Sequence, residues 1–523
     1  MLSRLIAVSY LTIALYLAAR LALISARPEQ GLSDRVMAVL LLGAELFLGY
    51  HAAGFFLNVA RSARARARGA EPAFAPFTRA PVAVLVAAYN EPEEVLDETL
   101  AALAVLDYPS FSVYLLDDST RPDCRAAADS VARRYGATLV RRPHRTGYKA
   151  GAMNELLPRL REPYVAVLDA DQRPVRTWLT EVVPYLEAEP RLAFIQVPQV
   201  YDNLEGLPVA QASQYRQAVF FEYICEGKST VNAVFCCGSN VVFRRQALLS
   251  VGRVVDGRTA YFDETSVTED FATTVDLHSA GWRTRYLNRA HVLGLGPETL
   301  PAYFTQQMRW AMGSIGVGLR LLRRLFREPR ALTPAQWWEY LLSGTYYFTG
   351  VANLVFMLAP VLFLAGDVRP LELDAQLYLL LVFPHIGFNL ALFFAAMRLR
   401  GVPVKGAWMA TALAFATFWT YSKAALLALL GRRRAFGVTP KGVGGRVPLR
   451  GLVPELLAFT ASGASALAAV ACMLIAGPDL TYAVNGFWAA YNAIQLSILF
   501  IHFNRPVAVA ARSPLLQAAA ARA

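Results

Sequence analysis

Three short hydrophobic stretches decide the fold, and each runs into acidic or polar residues. They read VAVLVAAYNE (Val82–Glu91), VYLLDD (Val113–Asp118) and YVAVLDAD (Tyr164–Asp171). Continuous runs of Val, Leu and Ala are typical of strands that are buried on both faces of a sheet. Between them, Glu93–Leu103 and Pro122–Tyr135 have the spacing of helices. This alternation predicts an α/β unit built on a mostly parallel sheet.

Carboxylates follow the carboxyl ends of these three strands. Glu91 follows the first, Asp117 and Asp118 the second, and Asp169 and Asp171 the third. Any one of them could be an ordinary helix cap. Parallel strands bring their carboxyl ends to one edge of a sheet, however, and this edge is where such sheets bind ligands. Two carboxylates one residue apart can share Mg²⁺ or Mn²⁺ with diphosphate oxygens, so the pattern favours a nucleotide sugar as ligand.

The rest of the chain is too apolar for a soluble protein. Of its 523 residues, 55% are hydrophobic and 17% are charged, with a mean hydropathy of +0.35. These values exclude a disordered chain, a collagen and a single soluble domain. Six stretches are long enough to cross a bilayer: Leu5–Ile24, Val36–Asn58, Tyr346–Ala365, Leu377–Met397, Leu452–Gly477 and Leu480–Phe503. We interpret Gly406–Leu430, which carries Lys423, as an amphipathic helix in the interface, with a seventh span as the alternative.

Basic residues give the expected orientation in the membrane. Lys and Arg number 51 against 39 Asp and Glu, a net charge of +12. They cluster beside the apolar stretches, as in the arginine run at 61–68, and a nucleic-acid partner is not expected. The positive-inside rule then places both termini and the polar middle segment in the cytoplasm. The five cysteines are odd in number and have no CxxC spacing, so neither a disulfide framework nor a zinc site is expected.

Four motifs in order resemble the signature of processive family 2 glycosyltransferases, of which cellulose synthases are the best-known members. These motifs are Asp117-Asp118, Asp169-x-Asp171, Thr268-Glu269-Asp270 and Gln306-x-x-Arg309-Trp310. Tyr148–Gly151 looks like the K-A-G element of that family, and Phe235–Gly238 resembles its F-F-C-G turn. Phe436–Lys441 matches the F-x-V-T-x-K gating loop of cellulose synthase-like enzymes.

The resemblance implies a GT-A-type, Rossmann-like cytoplasmic domain inserted between helical transmembrane segments. The expected division is two transmembrane helices (1–60), the glycosyltransferase domain with an interface helix (61–335), two transmembrane helices (336–400), an interface helix and gating loop (401–450), and two transmembrane helices with a short tail (451–523). Eight spans and a C-terminal cyclic-di-GMP-binding domain are usual in bacterial cellulose synthase catalytic subunits. With about six spans and no such domain expected here, regulation by that dinucleotide through this chain is doubtful.

The resemblance also implies a role for each motif residue. Asp270 is the expected general base for the acceptor hydroxyl. Asn90, Glu91, Asp117, Asp118, Lys149, Asp169, Gln306 and Arg309 are expected to bind the nucleotide sugar, with the choice between Asp117 and Asp118 for uridine left open. Asp169 and Asp171 are the expected ligands of Mg²⁺ or Mn²⁺. Trp310, Cys237, Gly238 and Glu269 are expected at the acceptor site and channel, and Phe436, Val438, Thr439 and Lys441 in the gating loop.

The expected function is processive, inverting polymerisation of a β-glycan, most simply from UDP-glucose, with translocation across the plasma (inner) membrane. The partners would be the nucleotide sugar, the growing polysaccharide, membrane lipid and possible accessory export subunits. Trp408 and Trp419 are further candidates for stacking on the polysaccharide. The alternatives are a β-mannan or glucomannan synthase that uses GDP-mannose, or a transporter. No span carries an obvious buried carboxylate or internal repeat, which argues against a transporter.

Overall fold

The computed structural model of the chain describes residues 2–24, 31–69, 78–370, 375–432 and 446–506. The predicted gating-loop residues Phe436, Val438, Thr439 and Lys441 lie outside these ranges. Within them, long apolar helices precede and follow an α/β domain that contains the three acidic strand ends.

A seven-stranded sheet forms the centre of this domain. Its strands are β1 (Val82–Ala88), β2 (Phe111–Asp117), β3 (Thr138–Val140), β4 (Tyr164–Asp169), β6 (Leu192–Gln196), β8 (Val241–Arg244) and β11 (Arg283–Tyr286), in the spatial order β11-β6-β8-β4-β1-β2-β3. The short strands β5 (Arg173–Pro174), β7 (Val200–Tyr201) and β12 (Val292–Gly294) form a second sheet, and β9 (Arg253–Val255) pairs with β10 (Arg258–Ala260).

The main sheet is parallel except at one strand. β1 pairs in parallel with β2 and β4, β2 with β3, and β11 with β6, whereas β8 runs antiparallel to both β4 and β6. Alternate side chains of β1 enter two hydrophobic clusters: Val82, Val84 and Val86 enter one, and Ala83 and Leu85 the other. Burial on both faces explains why this strand is a continuous apolar run.

Helices cover both faces of the main sheet. α3 (Glu93–Ala104), α4 (Pro122–Tyr135) and α6 (Trp178–Ala188) pack on one face, and α5 (Tyr148–Leu156), α9 (Arg245–Ser250) and α10 (Glu269–Ser279) on the other. α7 (Pro208–Val219) packs instead against the helix at Val404–Ala416, and α8 (Glu226–Ser229) contacts β11. The long helix α11 (Leu300–Arg327) then carries the chain from the domain to α12 (Pro334–Thr345). The basic residues Arg324 and Arg327 lie in the last turn of α11, where positive charge stabilises the helix dipole.

The remaining helices are α1 (Leu2–Ile24), α2 (Leu32–Ala67), α13 (Thr349–Gly366), α14 (Ala375–Leu399), α15 (Val404–Ala416), α16 (Phe418–Leu429), α17 (Val453–Ala476) and α18 (Leu480–Ile498). In the described part of the chain, six helical segments are long and apolar enough to cross a membrane. This number agrees with the six predicted from the sequence, and the chain is a multi-pass membrane protein.

The stretch predicted as one interface helix is instead two helices. α15 and α16 meet at Thr417 with a bend of 44°, and the pair is apolar enough to count as a broken span or a re-entrant loop. The Thr417 hydroxyl donates to the Ala414 carbonyl at 2.6 Å. A side-chain bond of this kind competes with the helical backbone bonds and favours a break, and the apolar run alone does not reveal it.

One expectation about the membrane helices is wrong. The spans do carry a buried carboxylate, because Glu45 of α2 accepts hydrogen bonds from Arg20 at 2.8 Å and from the Tyr16 hydroxyl at 2.6 Å. Arg20 is 1% exposed. Such a pair satisfies two charges that are costly to bury singly. Because the spans contain a buried carboxylate, this part of the sequence-based argument against a transporter does not hold.

Candidate active site

The acidic strand ends meet at one edge of the main sheet. In the parallel register, Ala88 of β1 lies opposite Asp117 of β2, and Ala87 lies opposite Asp169 of β4. A cleft of about 260 Å³ opens at this edge. Its walls include these predicted site residues: Glu91, Asp118, Lys149, Asp169, Asp171, Cys237, Gly238, Glu269, Asp270, Gln306, Arg309 and Trp310. Asn90 and Asp117 are the two predicted site residues of the described chain that lie outside the cleft wall.

The neighbouring carboxylates of Asp117 and Asp118 have different surroundings. The Asp117 side chain is fully buried, where it accepts hydrogen bonds from Arg141 at 2.7 Å and from the Ser119 backbone at 3.0 Å. Asp118 faces the cleft, and Arg142 holds both of its oxygens, at 2.8 and 2.6 Å. A bidentate guanidinium fixes the plane of a carboxylate. Asp118 therefore presents a carboxylate of fixed orientation at the cleft wall, and Asp117 supports the strand end.

Asn90 organises the loops beside the cleft. It has a positive φ of 53°, and its side-chain oxygen accepts backbone hydrogen bonds from Thr120 at 2.9 Å and from Arg121 at 3.0 Å. Asn is one of the few residues that tolerate a left-handed backbone conformation. These bonds join the loop after β1 to the loop after β2, so Asn90 helps to place Glu91 and Asp118.

Lys149 brings a cation to the end of β4. Its ammonium donates to an oxygen of Asp169 and to the Gly238 carbonyl, the latter at 2.8 Å. Burial lowers the pKa of Lys149, but the Asp169 carboxylate reverses the effect and leaves the pKa raised. Lys149 is therefore protonated at neutral pH and joins α5, β4 and the turn before β8.

The donors in the cleft fit a divalent cation that is shared with a substrate. Asp169 and Asp171 both line the cleft, and about half of the Asp169 side chain is exposed. In the described part of the chain, no group of three or more His, Cys, Asp or Glu residues could enclose a metal. Mg²⁺ and Mn²⁺ accept oxygen ligands and commonly combine one or two carboxylates with phosphate oxygens. The two aspartates match this incomplete ligand set.

Glu269 and Asp270 begin helix α10, and both line the cleft. Asp270 is partly buried, and its carboxylate accepts a hydrogen bond from the Phe271 backbone at 2.8 Å. Burial and, to a smaller extent, the like charge of Glu269 raise the pKa of Asp270 to about 8. Burial also raises the pKa of Glu269, against the opposing charge of Lys149. A carboxylate with a pKa near neutrality can accept a proton from a reacting hydroxyl.

Gly238 leaves the space that Asp270 occupies. Its φ is +83°, a conformation that favours glycine, and a Cβ atom added there would lie 3.0 Å from an Asp270 carboxylate oxygen. The preceding Cys237 is held by its backbone N–H, which donates to the Gln196 side chain at 2.9 Å. The predicted F-F-C-G-like turn therefore contacts the candidate base directly.

Helix α11 supplies the last group of predicted residues. Gln306, Arg309 and Trp310 are three and four positions apart, so they lie on one face of the helix, and all three line the cleft. The intervening Gln307 belongs to another face and is 4% exposed. One helix thus carries a cation and an aromatic ring into the cleft while its other face packs elsewhere.

Sequence reasoning missed an aromatic and cationic stack at the rim of the cleft. The Arg145 guanidinium lies 3.4 Å from the centre of the Tyr89 ring and 5.0 Å from that of Tyr148, and all three residues line the cleft. In the sequence, Arg145 is one basic residue among several after β3. Its position after β3 gave no signal of stacking, because the two tyrosines come from separate strand–helix turns.

The cleft and fold resemble those of family 2 glycosyltransferases. Residues 80–313 match the family model described as glycosyltransferase like family 2, and residues 256–430 match the model described as cellulose synthase. The second match is the more specific one, and over residues 256–430 the chain is similar to cellulose synthases.

Known relatives agree with this placement. Cellulose synthase catalytic subunits (UDP-forming) from Pseudomonas fluorescens and Xanthomonas axonopodis pv. citri are each 30% identical to this chain, over 316 and 345 residues. The matches cover 58% and 62% of this chain but 40% and 43% of the relatives. The chain thus spans less than half of their length.

One solved structure bears on the fold. A mannosyltransferase from Pyrobaculum calidifontis, in complex with GDP-Man and Mn²⁺, is similar with a TM-score of 0.52 and 19% identity. The similarity covers 76% of this chain and 100% of that one. It confirms the predicted GT-A-type fold.

Proposed function

We propose that this chain is a processive, inverting glycosyltransferase that polymerises a β-glycan from UDP-glucose and passes it through the plasma membrane. The observation that carries the proposal is the adjacency of two spaces. The cleft at the sheet edge contains Trp310, and a cavity of about 940 Å³ lies among the apolar helices. Between them, Gln307 of α11 accepts a hydrogen bond from Tyr421, which lines the cavity. A product made in the cleft would have a short path into the membrane.

In this proposal the donor lies along the carboxyl edge of the sheet. Asp118, fixed by Arg142, receives the nucleobase, and Lys149 and Arg309 face the diphosphate. Asp169 and Asp171 would hold Mg²⁺ or Mn²⁺. When bound, the cation would neutralise charge on the departing diphosphate, so that no acid would be required to protonate the leaving group.

Asp270 completes the reaction from the acceptor side. The acceptor hydroxyl gives its proton to the Asp270 carboxylate while its oxygen forms a bond to the anomeric carbon. The bond from that carbon to the diphosphate breaks, and the nucleoside diphosphate leaves with the electron pair. Because the attack comes from the face opposite the leaving group, an α-linked donor gives a β-linked product. Trp310 offers an aromatic face on which the terminal sugar can stack.

The cavity is suited to a sugar chain because its wall mixes aromatic rings with polar groups. Tyr378, Trp488 and Tyr491 line it together with amide side chains such as Asn353 and Asn492. Trp408 and Trp419, which the sequence also nominated, do not line it, and each is 39% exposed. We place the catalytic domain on the cytoplasmic side, as the basic flanks of the spans favour.

The test uses purified protein in lipid vesicles with Mg²⁺ or Mn²⁺. Labelled UDP-glucose and GDP-mannose are supplied separately, and ethanol-insoluble product is digested with linkage-specific β-glucanases and mannanases. We expect polymer from UDP-glucose. Polymer from GDP-mannose alone would show that GDP-mannose, and not UDP-glucose, is the donor. The lack of polymer from either donor would contradict the proposal.

Gly238→Ala should lower sugar transfer about tenfold, because the added methyl displaces the Asp270 carboxylate and strains a left-handed turn. Affinity for UDP, measured by calorimetry, should change little. Gly257→Ala is the matched control, since Gly257 also has a positive φ, of +76°, but nothing lies within 4 Å of an added Cβ. Equal losses in the two variants would show that backbone strain alone is responsible.

Arg142→Met should raise the KM for the donor about tenfold with a smaller effect on kcat, because Asp118 loses the guanidinium that fixes its plane. Initial rates over a range of donor concentrations measure both constants. Arg133→Met, on the exposed side of α4, serves as the control. A fall in kcat at unchanged KM would contradict a role for Asp118 in donor binding.

A further inference from the structure

A cluster of one arginine and three tyrosines lies at the end of the membrane cavity that is nearest to the cleft. The guanidinium of Arg216, on α7, donates to the hydroxyl oxygens of Tyr303, Tyr346 and Tyr421. The nitrogen–oxygen distances are 3.4 Å to Tyr346 and 2.5 Å to Tyr421. We call these four residues the arginine collar. It joins α7, α11 and α16 to the segment before α13.

Arg216 carries a charge that no acidic side chain balances. Among the described residues, tyrosine hydroxyls surround it and no carboxylate forms an ion pair with it. The other charged residues of the cavity wall are paired, Glu45 with Arg20 at 2.8 Å and Arg369 with Asp367 at 2.8 Å. In the described part of the wall, the unbalanced charge is therefore positive and lies at the end nearest to the cleft.

The hydrogen bonds of the collar fix where its protons point. Arginine is a donor only, so each tyrosine oxygen accepts from it and each hydroxyl proton is directed elsewhere. Tyr421 gives its proton to the Gln307 side chain. Tyr346 is 38% exposed and lines the cavity, so its proton is available to whatever the cavity contains. The collar therefore presents the Tyr346 hydroxyl proton and a positive charge to the cavity.

We propose that Arg216 is a positioning residue that holds Tyr346 as a hydrogen-bond donor to the growing glycan between transfer steps. This inference rests on the proposed function. The ligand is a chain whose hydroxyl, ring or carboxylate oxygens accept hydrogen bonds, so neutral and acidic sugars fit the collar and protonated amino sugars are repelled. By holding the chain after each transfer, the collar slows its release and lengthens the product.

The experiment compares product length with the rate of nucleotide release in the same vesicles. Arg216→Met removes the charge and the donors at similar side-chain length. We expect a mean product about tenfold shorter, because a charge-assisted hydrogen-bond network is lost. The rate of nucleotide release and the KM for the nucleotide sugar should stay within about twofold of wild type, because this network lies outside the nucleotide-sugar site. Size-exclusion chromatography of the labelled glycan gives product length, and a coupled assay gives nucleotide release.

Two further variants complete the test. Tyr346→Phe keeps the ring but loses the donor, so it should also shorten the product, whereas Lys423→Met, an exposed cation on α16, should leave its length unchanged. If Arg216→Met and Tyr346→Phe both give product of wild-type length, the role of the arginine collar is overturned but the proposed function is not. Absence of polymer from the wild-type protein would overturn the proposed function and the collar with it.

Discussion

Asp270→Asn is expected to lower sugar transfer about a thousandfold, since asparagine cannot take the proton of the acceptor hydroxyl. The substitution is nearly isosteric, and the asparagine oxygen can still accept the hydrogen bond that the Phe271 backbone donates at 2.8 Å. Lys149, Asp118 and Arg309 are unchanged, so binding of UDP should persist. Initial rates of transfer and calorimetric titration with UDP measure the two quantities separately.

The matched control is Asp276→Asn on the same helix. Asp276 forms an ion pair with Arg253 at 3.0 Å and does not line the cleft, so transfer should change less than about twofold. An Asp270→Asn variant that keeps more than about a tenth of wild-type transfer would contradict its role as general base. Loss of UDP binding in the same variant would assign Asp270 to the donor site instead.

Most of the α/β domain could be predicted because its strands are locally encoded. β1 and β4 lie within two of the apolar stretches that predict strands, β2 begins two residues before the third, and α4 has the predicted bounds, Pro122–Tyr135. The direction of β8 could not be read from its sequence. It lies between β4 and β6 and is antiparallel to both, a placement set by distant partners rather than by the pattern of Val241–Arg244.

The candidate site was predicted as a set of residues, and the arrangement within that set required coordinates. Adjacent aspartates at the end of β2 point to different places, one into the interior beside Arg141 and the other into the cleft beside Arg142. Because side chains alternate along a strand, neighbouring residues point to opposite sides, but the sequence does not show which of the two faces a ligand. The partner arginines lie 24 residues further on, after β3, and carry no motif.

In the membrane, length and hydropathy gave the number of spans but not the contacts between them. The pairing of Arg20 with Glu45 joins α1 to α2 across 25 positions of the sequence. Each residue alone only interrupts an apolar run, and the stabilising interaction becomes visible when the two helices pack side by side. The arginine collar is likewise visible only in the folded chain, because its four members come from four separate segments.

The second large effect is a loss of transfer in acid. A general base acts in its deprotonated form, and the Asp270 pKa of about 8 means that the protonated, inactive form prevails below that pH. The kcat/KM should therefore approach a tenfold fall for each pH unit well below 8. Between pH 8, where about half of Asp270 is ionised, and pH 6, where about 1% is, it should fall about fiftyfold. Rates measured at saturating Mg²⁺ with one acceptor across this range define the acid limb.

Glu269→Gln tests whether the charge of Glu269 helps to set the pH at which kcat/KM falls, here called the acid limb. Replacing the neighbouring carboxylate by a neutral amide removes the like charge that raises the Asp270 pKa, while Lys149 and the Phe271 N–H continue to lower it. The limb should then move to lower pH, whereas Asp276→Asn, which removes a negative charge elsewhere on α10, should leave it in place. A limb that stays fixed in Glu269→Gln would assign the titration to a group other than Asp270. A limb that moves to higher pH would contradict the electrostatic coupling of the two carboxylates, because the loss of a nearby negative charge can only favour ionisation.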